Sequence, residues 1–285
     1  DRLALGQVAQ VLHEVQALQG RAEATEDAPL VSRSRLVLGR ARLAAGEPVA
    51  EAELHLAART ALEAGDSELA AEAWLSRMQA LRRAGRSAEA IALGDYVEGI
   101  LVNKRVGWLR PTLDLVRGDV ERSRDRAAEA LAHYHAALEH EQARPDRDPL
   151  RMLPVWQGQA EIHVARGNLE EAVAPLETAL ATAREALGPL HPAAIDVLQR
   201  LGQVQLRRGQ TAQARADLEQ ALELVREAGL DDPARVAELE EGLGSLHAGL
   251  GEHERARDHL ERAYRALGGA AAAERVARTF ALGLR

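Results

Sequence analysis

The sequence predicts an all-α fold, a right-handed solenoid of about six helix pairs with a leading helix and a C-terminal capping helix. Three glycines, Gly167, Gly209 and Gly251, recur at intervals of 42 residues, which is typical of a repeat architecture. On both sides of each glycine, apolar residues recur at helical spacing. The composition agrees, because 46% of the residues are hydrophobic but only 2% are aromatic. Ala and Leu carry that apolar content, and both favour helices.

One unit shows the predicted pair most clearly. Residues 194–206 form a first amphipathic helix, Gly209 ends it, and a second helix follows. Glycine suits this place because it adopts a left-handed backbone at little cost. The apolar face of the second helix comprises Ala214, Leu218, Ala221, Leu222 and Val225. Small residues seven positions before each anchor, such as Gly202 and Gly244, are expected to let the two helices approach closely.

The same pattern maps the whole chain as one solenoid over 1–285. Upstream, Asp125, Gly85 and Gly46 take the anchor place, with looser spacing. We expect a leading helix at 2–19 with a loop at 20–29, so that 1–28 precede the pairs. Irregular repeats follow over 29–107, regular ones over 108–267, and a capping helix at 271–283 within 268–285. The predicted pairs span 29–64, 67–103, 108–144, 149–187, 192–228 and 233–267, with a kink near Gly94 and Gly99.

These residues resemble the tetratricopeptide repeat family. Its pattern appears here as Leu198-x2-Leu201-Gly202 followed by Ala214-x3-Leu218, and Trp74 and Trp156 stand at the family's tryptophan place. The linker 187–192 (LGPLHP) looks like that of the 42-residue variant found in kinesin light chains and many bacterial proteins. This resemblance covers about residues 30–267. It implies a protein-binding role.

A second, narrower resemblance concerns residues 66–74 and the repeats after them. They look like the C-terminal half of large bacterial serine/threonine kinases, in which such repeats follow a kinase domain. The chain itself has no glycine-rich phosphate loop, HRD or DFG motif. Because it opens with Asp1 rather than Met, we expect it to be a segment of a longer protein.

The family geometry implies a concave groove lined by the first helix of each pair, which would bind an extended peptide or a partner helix. Its N-terminal end would be basic and its other end neutral to acidic. The implied groove residues are Arg33, Leu36, Arg40, Glu72, Leu75, Gln79, Arg82, Leu115, Asp119, Arg122, Gln157, Glu161, Gln199, Gln203, Glu238 and Glu241. The alternative is that these are solvated helix faces without a particular partner.

Two known groove chemistries do not fit the sequence. Chaperone-binding tetratricopeptide domains hold a C-terminal carboxylate with Lys and Asn. Here Lys104 is the only lysine, and it and the two asparagines, Asn103 and Asn168, fall off the expected face. Kinesin light chains carry paired Asn where this chain has Gln199 and Arg200.

The sequence gives no sign of an enzyme, a metal site or a cofactor site. His133 and His135 are about 200° apart on one helix, and the His253-Glu254 run has Arg257 where a zinc protease needs a second His. Gly242-x-Gly244 falls within a predicted helix, so we expect it to serve packing. There is no Cys, which excludes disulfides. No apolar stretch is long enough to cross a membrane, and the net charge of −8 disfavours nucleic acid.

Two functional hypotheses follow. In the first, the chain is a non-catalytic interaction scaffold or sensor module of a bacterial signalling protein, with a protein or peptide partner in the groove. It would be cytoplasmic, or of unknown location if the full-length protein is anchored in a membrane. In the second, it is a regulatory domain that responds to a peptide or small ligand and controls a linked output domain. Specificity in such arrays depends on a few exposed side chains.

Overall fold

The computed structural model describes residues 8–25, 27–102, 106–230 and 232–268. In these ranges the chain forms thirteen α-helices and two short 3-10 helices, and no strand. The all-α prediction is therefore confirmed. The chain divides into two compact units, one ending at Gly158 and the other starting at Gln159. The extent of the predicted single solenoid and its subdivision stay predictions.

The first unit begins with one helix and continues with antiparallel helix pairs. A 3-10 turn at Gly107–Leu109 leads into the third pair, and another at Pro149–Met152 leads into α8. The helices are α1 Val8–Glu23, α2 Ala28–Ala44, α3 Ala50–Glu63, α4 Ser67–Arg83, α5 Ser87–Leu101, α6 Arg110–Ser123, α7 Ala127–Gln142 and α8 Leu153–Ala165, whose Gly158 ends the unit.

The second unit contains the rest of α8 and five further helices. These are α9 Val173–Leu187, α10 Pro192–Arg207, α11 Thr211–Glu227, α12 Pro233–Gly249 and α13 His253–Leu267. Across both units, the pairs α2/α3, α4/α5, α6/α7, α8/α9, α10/α11 and α12/α13 coincide closely with the predicted ones.

The anchor residues all adopt a left-handed backbone, which explains why glycine recurs there. The φ values are +78° at Gly167, +76° at Gly209 and +74° at Gly251. In this region of φ a side chain is strained, whereas glycine is not. Asp125 holds the same conformation, with φ +60°, and is the one non-glycine residue to do so in the described part of the chain.

Small residues seven positions before the anchors let the paired helices touch. A Cβ added at Gly202 would lie 2.9 Å from Leu218 Cγ, and one at Gly244 would lie 2.9 Å from Leu260 Cγ. A Cβ at Gly242 would come within 3.2 Å of Leu218, so this glycine serves packing as predicted. Leu218 and Leu260 of the second helices therefore pack against the glycines of their first helices.

Some local expectations were wrong or fall outside the described residues. The polar segment predicted as a loop from Gly20 begins only after Glu23, because α1 continues to that residue. Helix α5 continues through Gly94 and Gly99, with Gly94 packed near Met78, and the kink predicted there stays a prediction. The predicted capping helix at 271–283 lies outside the described residues, as do Lys104 and Arg105.

Helix α9 begins later than its counterpart α11. The chain forms turns over 169–172 and becomes helical at Val173. Pro175 gives the reason, since proline lacks an N–H and is tolerated only in the first turn of a helix. A helix starting two residues after Gly167, as α11 does after Gly209, would place this proline in its interior.

Candidate protein-binding face

In the first unit, the first helices of successive pairs lie side by side and bond through polar side chains. Arg40 of α2 donates from Nη2 to a carboxylate oxygen of Glu72 at 2.9 Å, and from Nε to Ser76 Oγ at 3.0 Å. Both acceptors belong to α4. These contacts make α2 and α4 one continuous polar surface.

The second unit repeats this arrangement. Arg200 of α10 donates to Glu161 of α8 at 2.7 Å, and Gln199 donates to Glu238 of α12 at 3.0 Å. Arg235 of α12 forms an ion pair with Asp196 of α10 at 2.7 Å. The first helices α8, α10 and α12 are thus linked in sequence within this unit.

We call the solvent-accessible side of α2, α4 and α6 in the first unit, and of α10 and α12 with the end of α8 in the second, the first-helix face. Gln79 extends it on α4, because it follows Ser76 by one helical turn. Gln203 extends it on α10 in the same way after Gln199, and it is exposed. These two amides offer donors and acceptors to a bound chain.

Four of the residues predicted to line a groove are buried instead. Leu36, Leu75 and Leu115 keep less than a tenth of their surface exposed, and the first two belong to the main core cluster of the first unit. Gln199 is also buried, and its amide group donates a hydrogen bond to Glu238. The reason is that a helix packed on two sides leaves only a narrow stripe to solvent, which a helical period alone does not locate.

The other predicted residues reach solvent to different degrees. Those that are exposed are Arg33, Arg40, Gln203 and Glu238. Those that are half-buried are Glu72, Gln79, Arg82, Asp119, Arg122, Gln157, Glu161 and Glu241. The binding role of all of them stays a prediction.

Tyr134 holds two of these half-buried residues in place. Its ring is fully buried, its hydroxyl donates to Asp119 at 2.7 Å, and it accepts from Arg122 Nε at 3.2 Å. Burial, together with the Asp119 carboxylate, raises the pKa of Tyr134, so this hydroxyl remains a donor at physiological pH. Sequence analysis missed this link, although a tyrosine at the place of Leu218 and Leu260 was a usable signal.

The predicted basic character of the N-terminal end is weakened by pairing. Arg40 is neutralised by Glu72, and Arg122 forms an ion pair with Asp119 at 3.5 Å. Arg33 and Arg82, by contrast, have no ion-pair partner among the described residues. The face therefore offers alternating charges and amides rather than a uniformly basic strip.

The described residues show no group of three or more His, Asp or Glu side chains placed to hold a metal ion. His140, on the same helix as His133 and His135, contacts Asp114 of α6, with Nδ1 at 2.7 Å from a carboxylate oxygen. Of the helices in the described ranges, none has the length and apolar character needed to span a bilayer. The first-helix face can bind by hydrogen bonds and charge, and nothing on it is arranged as a nucleophile with a base.

Comparison with known families matches the C-terminal part of the chain to one repeat family. The tetratricopeptide repeat model matches residues 151–227 and 206–268. Among curated proteins, no sequence matches the chain.

Several solved structures share this fold. BtubC (BKLC) from P. vanneervenii aligns with a TM-score of 0.62 at 15% identity, over 91% of this chain and 90% of that one. RapI, in its apo form, aligns with a TM-score of 0.64 at 13% identity, over 93% and 76%. A kinesin-light-chain protein from Podosopora anserina with nearly identical repeats aligns with a TM-score of 0.55 at 19% identity, over 68% and 93%. At these identities the likeness shows the fold alone.

Proposed function

We propose that this chain, in which residues 151–227 and 206–268 match the tetratricopeptide repeat model, is a non-catalytic module that binds a protein segment along the first-helix face of its units. Tetratricopeptide repeats generally lack catalytic activity and typically bind protein partners. The observation that carries the proposal is the bonding between neighbouring first helices, Arg40 with Glu72 in one unit and Arg200 with Glu161 in the other. It presents polar groups in a row, as an extended partner requires.

We further propose that the module serves as the scaffold or sensor part of a cytoplasmic bacterial signalling protein. The resemblance of residues 66–74 and the repeats after them to repeat-bearing bacterial kinases supports this context. Gene neighbourhood and the full coding sequence test it directly. A protein kinase domain encoded upstream in the same reading frame would agree with the proposal.

Site-specific photocrosslinking tests the binding face. A photoreactive amino acid is placed at Gln203 or Gln79 on the first-helix face, and at Glu219 or Ala92 on second helices as matched controls. All four tolerate a larger side chain because they are exposed or half-buried. We expect a partner to crosslink at Gln79 or Gln203, and not at the control position of the same unit, Ala92 or Glu219 respectively. Equal crosslinking at Glu219 and Ala92 would refute the face assignment.

A thermal-shift measurement on the same protein distinguishes the scaffold from the ligand-responsive regulatory domain. If the chain responds to a small ligand or short peptide, its unfolding temperature should rise in the presence of that ligand, since binding to the native state stabilises it. A thermal shift with a peptide pool, together with no crosslinked protein, would favour the ligand-responsive domain over the scaffold.

A further inference from the structure

An apolar groove of about 420 Å³ lies between α1 and α2 at the start of the first unit. Its floor includes Leu18 of α1 and Leu30 and Val37 of α2, which are 53%, 46% and 41% exposed. Arg21 and Arg33 line its sides. Contiguous exposed apolar side chains mark an interaction site, whereas single exposed apolar residues scattered over a surface do not.

The next pair of helices shows what such a groove normally holds. Helices α3 and α4 repeat α1 and α2 at a spacing of 39 residues, so that Val15 corresponds to Leu54 and Leu36 to Leu75, all of them buried. In the same register, Leu18 corresponds to Ala57, Leu30 to Leu69 and Val37 to Ser76. These three counterparts are only 0%, 5% and 6% exposed.

The groove between α3 and α4 is covered by a helix, α2. Ser32 Oγ of α2 donates to the carbonyl oxygen of Ala57 at 2.9 Å, and Arg40 Nε donates to Ser76 Oγ at 3.0 Å. Ala57 and Ser76 are the counterparts of Leu18 and Val37. The groove between α1 and α2 therefore has the shape that accepts an α-helix in the position of α2.

Charge defines the helix that fits. Between α2 and α4, Arg40 pairs with Glu72 at 2.9 Å. The counterpart of Glu72 in α2 is Arg33, so the charge that the open groove presents at this position is positive instead of negative. Neither Arg33 nor Arg21 has an ion-pair partner among the described residues. A helix bound in this groove thus needs an acidic residue at the position that corresponds to Arg40 of α2, because that position faces Arg33.

We propose that the groove between α1 and α2 binds an acidic amphipathic α-helix of a partner protein, in the position that α2 occupies on α3 and α4. A glutamate of this helix pairs with Arg33, and its apolar stripe covers Leu18, Leu30 and Val37. The chain's own residues 269–285 do not match this chemistry, since they carry three arginines and one glutamate. The site shares Arg33 with the first-helix face, but its apolar floor lies between α1 and α2, so its test does not depend on crosslinking at Gln79 or Gln203.

A peptide copied from α2 serves as the probe. It is a labelled, end-capped peptide of residues 27–45 in which position 40 carries the substitution Arg40→Glu, and its control is the unaltered peptide. Fluorescence anisotropy with the full chain measures both affinities. We expect the Glu-bearing peptide to bind about two- to fivefold more tightly, because its carboxylate meets Arg33 where the control places a guanidinium.

Two variants of the chain locate the site. Arg33→Glu should reverse the preference, so that the unaltered peptide binds more tightly. Leu18→Glu should weaken both peptides by about tenfold or more, because it places a charge on the apolar floor. Leu18 is more than half exposed, so circular dichroism should show an unchanged fold.

Three results would overturn the proposal. The first is equal affinity of the two peptides in the wild type and in the Arg33→Glu variant. The second is a concentration-dependent dimer in sedimentation velocity that Leu18→Glu abolishes, since a second copy would then fill the groove. The third is competition by a synthetic peptide of residues 269–285 as strong as that of the Glu-bearing probe, which would assign the groove to the chain's own C-terminal segment.

Discussion

At the scale of single residues, Asp125 combines an ordinary side chain with a backbone conformation that suits glycine. Its φ of +60° matches the turn geometry that Gly85 and Gly167 supply in neighbouring repeats. Aspartate tolerates this region better than most residues do, but still at a cost. The sequence spacing placed Asp125 at the anchor position of its repeat, whereas its strained, positive φ is seen only in the backbone of the structure.

Replacing Asp125 with glycine should therefore stabilise the protein. We expect the Asp125→Gly variant to gain about 0.5–1 kcal/mol in the free energy of unfolding, because the backbone strain is relieved. Urea denaturation followed by circular dichroism measures the change. Asp125→Ala serves as a control and should destabilise, since alanine also resists a positive φ. A lower stability of the glycine variant would contradict this interpretation.

Two glycines in helices should respond oppositely to the same substitution. A Cβ at Gly118 would lie 2.5 Å from the buried ring of Tyr134, whereas one at Gly99 would meet nothing within 4 Å. We expect Gly118→Ala to cost about 1–3 kcal/mol through overpacking. Gly99→Ala should instead gain about 0.5–1 kcal/mol through helix propensity. Paired urea denaturation curves test both, and an unchanged or higher stability of the Gly118→Ala variant would refute the packing role of Gly118.

His55 predicts a pH dependence near neutrality. Its ring lies 5.3 Å from the ring of Trp74, and burial, with a smaller effect of Arg77, lowers its pKa below the usual 6.5. Glu51 opposes this shift and Arg59 adds to it. Because the folded state favours the neutral ring, stability is fully present above pH 6.5 and is lost as the pH falls through the lower folded-state pKa.

The fluorescence of Trp74 reports this titration. In a Trp108→Phe, Trp156→Phe background, we expect a fluorescence transition with its midpoint below pH 6.5, and a parallel decrease in the free energy of unfolding. The His55→Gln variant should lose both effects. A midpoint at or above 6.5 would show that the ring is stabilised in its charged form, contrary to the structure.

At the scale of secondary-structure elements, one large side chain of the second helix α11 packs against small residues of two first helices. Leu218 of α11 is fully buried, and Gly202 of α10 and Gly242 of α12 both approach it. This leucine therefore joins three helices rather than two. The spacing of small residues predicted the contact with Gly202, but the contact with Gly242 depends on how the next pair stacks.

Shortening Leu218 should loosen all three helices. We expect Leu218→Ala to cost about 2–5 kcal/mol, the usual range for a leucine deleted from a packed core. Hydrogen exchange followed by mass spectrometry should show faster exchange in α10, α11 and α12. Glu219→Ala, on the exposed side of the same helix, is the control and should change exchange little. Faster exchange confined to α11 would contradict the three-helix contact.

Helix ends show which local features were readable from the sequence. The predicted pairs 149–187 and 233–267 both begin at a proline, and the aspartates before these prolines, Asp148 and Asp232, accept hydrogen bonds from backbone N–H groups. Asp27 and Asp66 cap α2 and α4 in the same way, at 3.2 and 2.9 Å, but they passed unnoticed. The late start of α9 could have been predicted from Pro175.

At the scale of the whole molecule, stability in a repeat array arises from contacts between neighbouring elements. In the first unit, α3 packs against both α2 and α4, whereas α1 packs chiefly against α2 among the described helices. We expect the amides of α1 to exchange faster than those of α3 in hydrogen-exchange measurements on the full chain. Protection of α1 equal to that of α3 would mean that a further element covers it.

The sequence by itself determined the period, the helix pairs and the glycine anchors, because packing and backbone sterics act locally and repeat with the chain. Only the tertiary structure decided which first-helix residues reach solvent. Leu75 is buried in the core, Arg40 forms an ion pair with Glu72, and Asp119 accepts a hydrogen bond from Tyr134. The physical reason is that exposure and charge pairing depend on the neighbouring repeat, which lies about 40 residues away along the chain and beyond the reach of local periodicity.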